Sequence, residues 1–360
     1  MNRKTIAFYI SDYGYGHASR SIAIIRELLK REDQICIIVC HSFALTFMKA
    51  SLLEDRVRFR EIETDVGYVL QKCTIYPDYE AVSKKMDNFI NDFPGRSLKE
   101  SEFLKNEKVD LLITDISPLP LYAASLLGIP TIGISNFTWY TAYHGLVPAK
   151  QLKWLRKQYQ LVDYFFHLGA SRELNWGRKQ NIAFLFFARE IDTMEVQRIR
   201  KSIPVGKQVV FIGLGMKVDN LVEKDFPIWD SPNCHFIVSS NMKIKKTNVT
   251  VVPRNYIESQ NYLAATDLII SKPGWGTISE ALLAKKPLIL LDRKDMQEDQ
   301  VTITFLKELN RCSTIQWEEL KRLIISKDYI RDVRNEQDLI TSAKSCLSDI
   351  SNQILYILYS

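Results

Sequence analysis

Short apolar runs alternate along the chain with stretches whose apolar residues recur every three or four positions, which predicts strands and helices in turn. Residues 4–10 read as a strand, the turn Ser11-Asp12-Tyr13-Gly14-Tyr15-Gly16-His17 follows, and Ile22, Ile25, Leu28 and Leu29 mark a helix over 18–30. Strands are expected at 34–40, 57–62, 109–114 (ending at Asp115), 130–135 and 162–168, the last of this half. Between them lie a loop at 64–77, a long helical pattern over 78–108 interrupted at Pro94-Gly95, a helix at 121–127 and an aromatic loop from Asn136 to Tyr140. A charged, helix-like connector at 189–204 opens a second series. It holds strands at 208–212, 235–239 and 249–252, a helix at 256–265, the apolar run 267–270 and a strand at 287–291. The tail is helical in pattern over 336–347 and 350–359. The alternation predicts an α/β protein of two doubly wound parallel domains, 1–188 and 189–345, enclosing a ligand cleft. The helix in 346–360 is expected to pack back on the first domain.

Composition narrows the class. The 360 residues are 46% apolar and 25% charged, as in soluble globular proteins. No apolar run approaches the roughly 20 residues that span a bilayer. The amino terminus passes straight into a strand, so no signal peptide is expected, and six scattered cysteines without a C-x-x-C pair suit a reducing cytoplasm. The net charge, 48 − 42 = +6, is mild. It favours an anionic small ligand or an acidic membrane surface and lacks the concentrated basic face of a nucleic-acid binder.

The most informative stretch is Ser271-Lys272-Pro273-Gly274-Trp275-Gly276-Thr277-Ile278-Ser279-Glu280, a glycine turn between a strand and a helix. Such a turn lies at the carboxyl ends of parallel strands, where helix N–H groups suit a phosphate. Glu280, about one turn into the helix, is placed to accept hydrogen bonds from ribose hydroxyls; the alternative is a tight connection with a solvated glutamate. Gly14-x-Gly16-x-x-Ser19 nearly matches the dinucleotide fingerprint, but the third glycine is missing and His41 stands where an acidic residue is expected. The chain has no P-loop, no H-E-x-x-H and no grouped His/Cys set, so no metal or cofactor is expected.

His17 follows the first glycine turn at a helix start, where the positive end of the helix disfavours the imidazolium. Asp115 ends another strand on the same edge and can orient the ring, which makes the pair a general base, or else both residues merely cap their turns. His41, His144, His167 and His235 lack such a setting and read as structural. Lys150, Lys153, Arg156 and Lys157 interleave with Leu152, Trp154, Leu155 and Tyr159, a pattern of either a solvated helix face or a contact with a membrane surface or an acidic acceptor.

Together these motifs resemble glycosyltransferases of the GT-B type, built from two Rossmann-like domains. The likeness is to the family 28 group containing the lipid-II-forming N-acetylglucosaminyltransferase of cell-wall synthesis. Tyr13-Gly14-Tyr15-Gly16-His17-Ala18-Ser19-Arg20, Ser135-Asn136-Phe137-Thr138-Trp139 and the Lys272–Glu280 motif also resemble the amino-terminal domain of L-arabinokinases. The resemblance implies that Lys272, Pro273 and the run Gly274, Trp275, Gly276 and Thr277 face a donor diphosphate, and Glu280 its ribose. It implies that Gly213, Gly215 and Met216 border the diphosphate from the other side and that Asp299 and Gln300 hold the donor sugar. The family often has paired glutamines there, so Asp299 leaves the sugar open. His17, supported by Asp115, is implied as the base that deprotonates an acceptor hydroxyl, with Gly14, Tyr15, Gly16, Asn136 and Trp139 on the acceptor side.

The expected activity is therefore inverting, metal-independent transfer from a UDP-sugar to an acceptor the sequence does not name, whether glycan, lipid-linked or small molecule. The expected place is the cytoplasm or the inner face of the membrane. Two other readings stay open here: a nucleotide-sugar hydrolase with water as acceptor, and a binding module without chemistry. The aromatic residues Phe137, Trp139, Tyr140 and Tyr143 can stack on a sugar, meet a lipid, or belong to the core.

Overall fold

Six apolar runs and one polar segment of the amino-terminal half form seven parallel strands in the computed structural model, which describes residues 3–224, 226–339 and 345–360. They are Lys4–Ile10 (β1), Ile35–His41 (β2), Val57–Glu61 (β3), Leu111–Asp115 (β4), Thr131–Ser135 (β5), Tyr164–His167 (β6) and Gln180–Ala183 (β7). Their order is β3-β2-β1-β4-β5-β6-β7. The chain winds outward from β1 to β3 and then returns to β4 on the other flank of β1, which makes the β1/β4 boundary a topological switch point. In that register Ile10 lies beside Asp115. β4 and β5 are buried along their whole length, as expected of strands covered on both faces.

The second series repeats the plan with Gln208–Gly213 (β8), Cys234–Val238 (β9), Val249–Val251 (β10), Leu268–Ser271 (β11), Leu288–Leu291 (β12) and Ser313–Ile315 (β13). Its order, β10-β9-β8-β11-β12-β13, sets the switch point between β8 and β11, where Gly213 lies beside Ser271. The two compact units are Met1–Val69 with Pro77–Leu185 and Cys346–Ser360, and Leu70–Tyr76 with Phe186–Ser345. Within the first, the helix Leu347–Tyr359 buries Ile350, Ile354, Ile357 and Leu358, and Asn352 and Ser348 accept from Arg31 of the helix Tyr15–Arg31 at 2.8 Å each.

Several expectations need correction. Residues 70–76, placed in the first domain by sequence, group with the second because Ile75 enters its core. β6 is not the last strand of its sheet: the polar, half-exposed β7 pairs with it, and no apolar run announced it. Pro94 does not interrupt the helix Tyr79–Asn106. Val82, Met86, Phe89, Phe93, Ser97, Glu100 and Leu104 form one buried stripe along it, while Pro94 and Gly95 face outward, where water can meet the carbonyl that loses its donor. The aromatic loop contains a short helix, Trp139–Ala142. The helical expectation for 336–347 fails at Gln337, which is extended and exchanges hydrogen bonds with the backbone of Leu288; residues 340–344 lie outside the described residues.

Candidate functional site

At the first switch point the chain leaves β1 and enters the helix Tyr15–Arg31 through Gly14, whose φ of 84° favours a residue without Cβ. His17, third in that helix, is 7% exposed, and its Nδ1 lies 3.0 Å from Oδ1 of Asp115, itself 2% exposed at the end of β4. Arg20, one turn beyond His17, grips the same carboxylate. Its Nε donates to Oδ2 at 2.7 Å and its Nη2 to Oδ1. Nη1 donates to Oδ1 of Asn136 and Nη2 to the Ser135 hydroxyl, both at 2.9 Å, at the end of β5. Nη2 also lies 2.9 Å from His17 Nδ1, but its two hydrogens are taken by Asp115 and Ser135. That arrangement assigns the Nδ1 hydrogen to a bond with Asp115 and leaves Nε2 as the basic nitrogen. Burial works to raise the Asp115 carboxyl, yet the Arg20 guanidinium and His17 hold it down to about 2. The acid is thus a fixed negative charge behind the ring.

Sequence reasoning named His17 and Asp115 and gave Arg20 no role. The available signal was its i+3 spacing, which puts it on the histidine's face of the helix. Asn136 and Trp139, expected on the acceptor side, are 4% and 1% exposed. Asn136 serves as an acceptor for Arg20, and Trp139 stacks on buried Tyr143 and donates its Nε1 hydrogen to Asp65 at 2.7 Å, so neither offers a face to a ligand. Tyr15 is 44% exposed and meets Phe43 and Phe47 edge-on beside Gly14 and Gly16. Asp12, just before the turn, accepts from the N–H groups of Ser42, Phe43 and Thr64 and pairs with His41, tying three loops of this edge together. Asp65, beside it, is pushed up to about 7 by burial and by the Asp12 charge. The basic stretch forms the helix Ala149–Tyr159, whose Trp154 packs against Phe89 and Phe93. Its apolar side is thereby covered and its basic side faces solvent.

At the second switch point two glycine turns meet one lysine. Gly215 has φ 87°, and a Cβ there would fall 2.9 Å from Cε of Lys272; a Cβ at Gly274 would lie 3.4 Å from the same carbon. The lysine stem therefore runs across both turns. Burial lowers the Lys272 pKa, with Arg293 adding to the effect, while Asp299, Glu298 and Asp219 oppose it. Asp219 fixes the first turn, accepting from the Leu214 N–H at 2.6 Å and from the Ser239 hydroxyl. Met216 starts the short helix Met216–Asp219; its side chain lies outside the described residues.

The helix Trp275–Leu283 starts at Gly274 and carries Gly276, Thr277 and Glu280. Pro273 is buried, and the Trp275 side chain, 5% exposed, turns into the core between Phe186 and Phe187. Only the backbone of this tryptophan remains for a ligand. Glu280 is 7% exposed and accepts from Arg189 Nη2 at 2.9 Å. Asp299, 2% exposed, pairs with Arg293 at 2.6 Å, and Gln300 donates to Asp292 at 2.8 Å. These two residues therefore engage neighbours of their own unit. Among the described residues no group of three or more His, Cys, Asp or Glu is placed to hold a metal ion, and no helix is long and apolar enough to cross a membrane.

Comparison with known proteins gives this geometry a class. Over its full length the chain resembles a UDP-glucosyltransferase from Polygonum tinctorium (TM-score 0.65, 13% identity, 100% of both chains). It also resembles MurG of Acinetobacter baumannii (TM-score 0.54, 14% identity, 98% of this chain and 99% of that one). The fold is thus the two-unit GT-B architecture of glycosyltransferases. Residues 236–353 match the model of the glycosyltransferase family 28 C-terminal domain. Domain match and fold agree: residues 236–353 carry the family 28 type of C-terminal domain on a glycosyltransferase fold. L-arabinokinase of Arabidopsis thaliana is 22% identical over 316 residues, 85% of this chain, which spans 30% of that relative's length.

Proposed function

We propose that the chain transfers a sugar from a UDP-sugar to an acceptor hydroxyl, with inversion, using His17 as general base and no metal ion. The observation that carries this reading is the buried His17–Asp115–Arg20 cluster at a switch point. A carboxylate fixed behind Nδ1–H stabilises the imidazolium that forms when Nε2 takes the acceptor proton, so the nucleophile strengthens as it attacks. Deprotonation of the hydroxyl and direct displacement of UDP at the anomeric carbon balance as one proton to His17 and one alkoxide to the sugar.

In this reading the second unit holds the donor. N–H groups at the start of the helix Trp275–Leu283 and the Lys272 ammonium meet the diphosphate, whose charge grows as the bond breaks. Glu280 accepts from the ribose hydroxyls. The likeness to a UDP-glucosyltransferase supports a uridine nucleotide as the donor carrier. The test is His17→Ala assayed for UDP binding by calorimetry and for UDP release with an acceptor panel. UDP affinity is expected to stay within about twofold and turnover to fall by about 10²–10⁴. Turnover near wild type in this variant removes His17 as the base.

A further inference from the structure

Arg189 has no place in the reaction as described, yet its side chain is only 1% exposed and it lies in the irregular segment ahead of the helix Thr193–Lys201. Its guanidinium is a three-way bridge. Nη2 donates to Oε1 of Glu280 at 2.9 Å and to the Ser259 hydroxyl at 3.2 Å, Nη1 donates to the carbonyl of Ile257, and Glu258 lies 3.9 Å away. The surrounding backbone is stitched to the same loop. Asp192 N–H donates to Asn261 at 2.9 Å, and Gln260 donates to the Glu190 carbonyl at 2.9 Å. The loop 252–259 follows β10 and so lies at the carboxyl edge of the sheet, as does the start of the helix that carries Glu280.

A carboxylate on a helix has several rotamers, and only some direct an oxygen toward a ligand at the helix start. A planar fork held at two other points selects among them, because each guanidinium hydrogen has a fixed direction. We infer that Arg189 is the positioning residue for Glu280, and that through it the site distinguishes a ribonucleotide from its 2′-deoxy counterpart. With Oε1 committed to the guanidinium, the carboxylate has a defined plane, and its remaining lone pairs have defined directions. A lysine at this position keeps the charge but is a single mobile point, so it neutralises Glu280 without orienting it.

This inference rests on the proposed ribose role of Glu280, and the experiment separates the two. Affinities for UDP and 2′-deoxy-UDP are measured by calorimetry on wild type, Glu280→Gln and Arg189→Lys, with far-UV circular dichroism to check folding. Wild type is expected to prefer UDP by about 10- to 100-fold, the range of a hydrogen bond to a charged group. In Arg189→Lys that ratio is expected to collapse toward that of Glu280→Gln, with 2′-deoxy-UDP binding unchanged. A wild-type ratio in Arg189→Lys, alongside its loss in Glu280→Gln, overturns the inference and leaves the ribose reading standing. Equal weakening of both nucleotides, ratio intact, assigns Arg189 to the loop alone and also overturns it. Equal affinities in wild type remove both ideas together. Should Arg189→Lys not fold, Ser259→Ala loosens the same fork while keeping the ion pair. A reduced ratio there supports the inference and an unchanged one refutes it.

Discussion

Replacing Asp115 by asparagine tests the first switch point in both stability and chemistry. The carboxyl is 2% exposed, and its partners move it from an ordinary 3.8 to about 2. A shift of that size corresponds to about 2 kcal/mol of native-state stabilisation by the ionised form. Asparagine removes that term and also leaves Arg20, 4% exposed, without its counter-charge. Breaking a buried pair from one side costs about 3–5 kcal/mol. Asn136 and Ser135 still accept from the guanidinium, so the lower end, about 3 kcal/mol at pH 7, is expected.

The sign with pH follows from the depressed value. The stabilisation is complete above the unfolded-state pKa and is lost as pH falls through the folded one. The gap between wild type and Asp115→Asn in urea titrations should be level from pH 8 to about 5 and shrink below about pH 4. In the proposed reaction the asparagine amide donates to Nδ1 and moves the ring hydrogen to Nε2, the wrong tautomer for a base. Turnover should drop by about 10²–10⁴ while UDP affinity holds. A gap under about 1 kcal/mol at pH 7, or one that widens on acidification, refutes the picture of a buried ionised Asp115.

Two further outcomes follow from the charges on the same edges. Burial and Arg293 depress Lys272, so a bound diphosphate should push its pKa back up. At pH values where the free lysine has begun to lose its proton, UDP binding should therefore take up protons, seen as calorimetric heats that change with buffer ionisation enthalpy, and it should weaken as pH rises. Lys272→Met should lose about 10- to 100-fold in UDP affinity together with the proton uptake, and buffer-independent heats in wild type would exclude the linkage. Asp65 is raised to about 7, so its folded state prefers the proton, and stability falls as pH climbs from about 4 to 7. Asp65→Asn, which keeps an oxygen for Trp139, should be the more stable protein at pH 8 by up to about 4 kcal/mol, the gap closing toward pH 4. A variant less stable than wild type at pH 8 contradicts the raised value.

What the sequence made legible is what local chemistry determines. Continuous apolar runs such as Leu111-Leu112-Ile113 read as buried parallel strands, and glycine turns between a run and a helix read as ligand edges. β7 was invisible because Gln180-Asn181-Ile182-Ala183 has no apolar pattern; it is a strand only because β6 offers it a free edge. Pro94 misled because its local cost is overridden by seven buried residues of the same helix. At the first switch point the meeting of His17 and Asp115 was legible from a turn and a strand end on one edge, whereas Lys272 entered only through the family resemblance. Whether a named aromatic residue met ligand or core was not legible, and Trp139 and Trp275 both proved to be core.

The partners that direct those site residues were the least legible, and they share one chemistry. Arg20 holds Asp115, Arg189 holds Glu280 and Arg293 holds Asp299, each pair buried, and two of the three are separated by more than 90 residues in sequence. Stability alone explains this poorly, because a buried ion pair of good geometry is on average no better than a well-packed apolar substitute. Direction explains it. In both units a carboxylate lies beside the switch point, Asp115 at a strand end and Glu280 on a helix, and the fork of an arginine from another element sets which way its oxygens point. The glycine motif thus says where ligand chemistry can occur, and the distant arginine decides whether the acid found there is aimed. Such an arginine carries no motif of its own, since its position is fixed only once two strands distant in sequence lie side by side in one sheet.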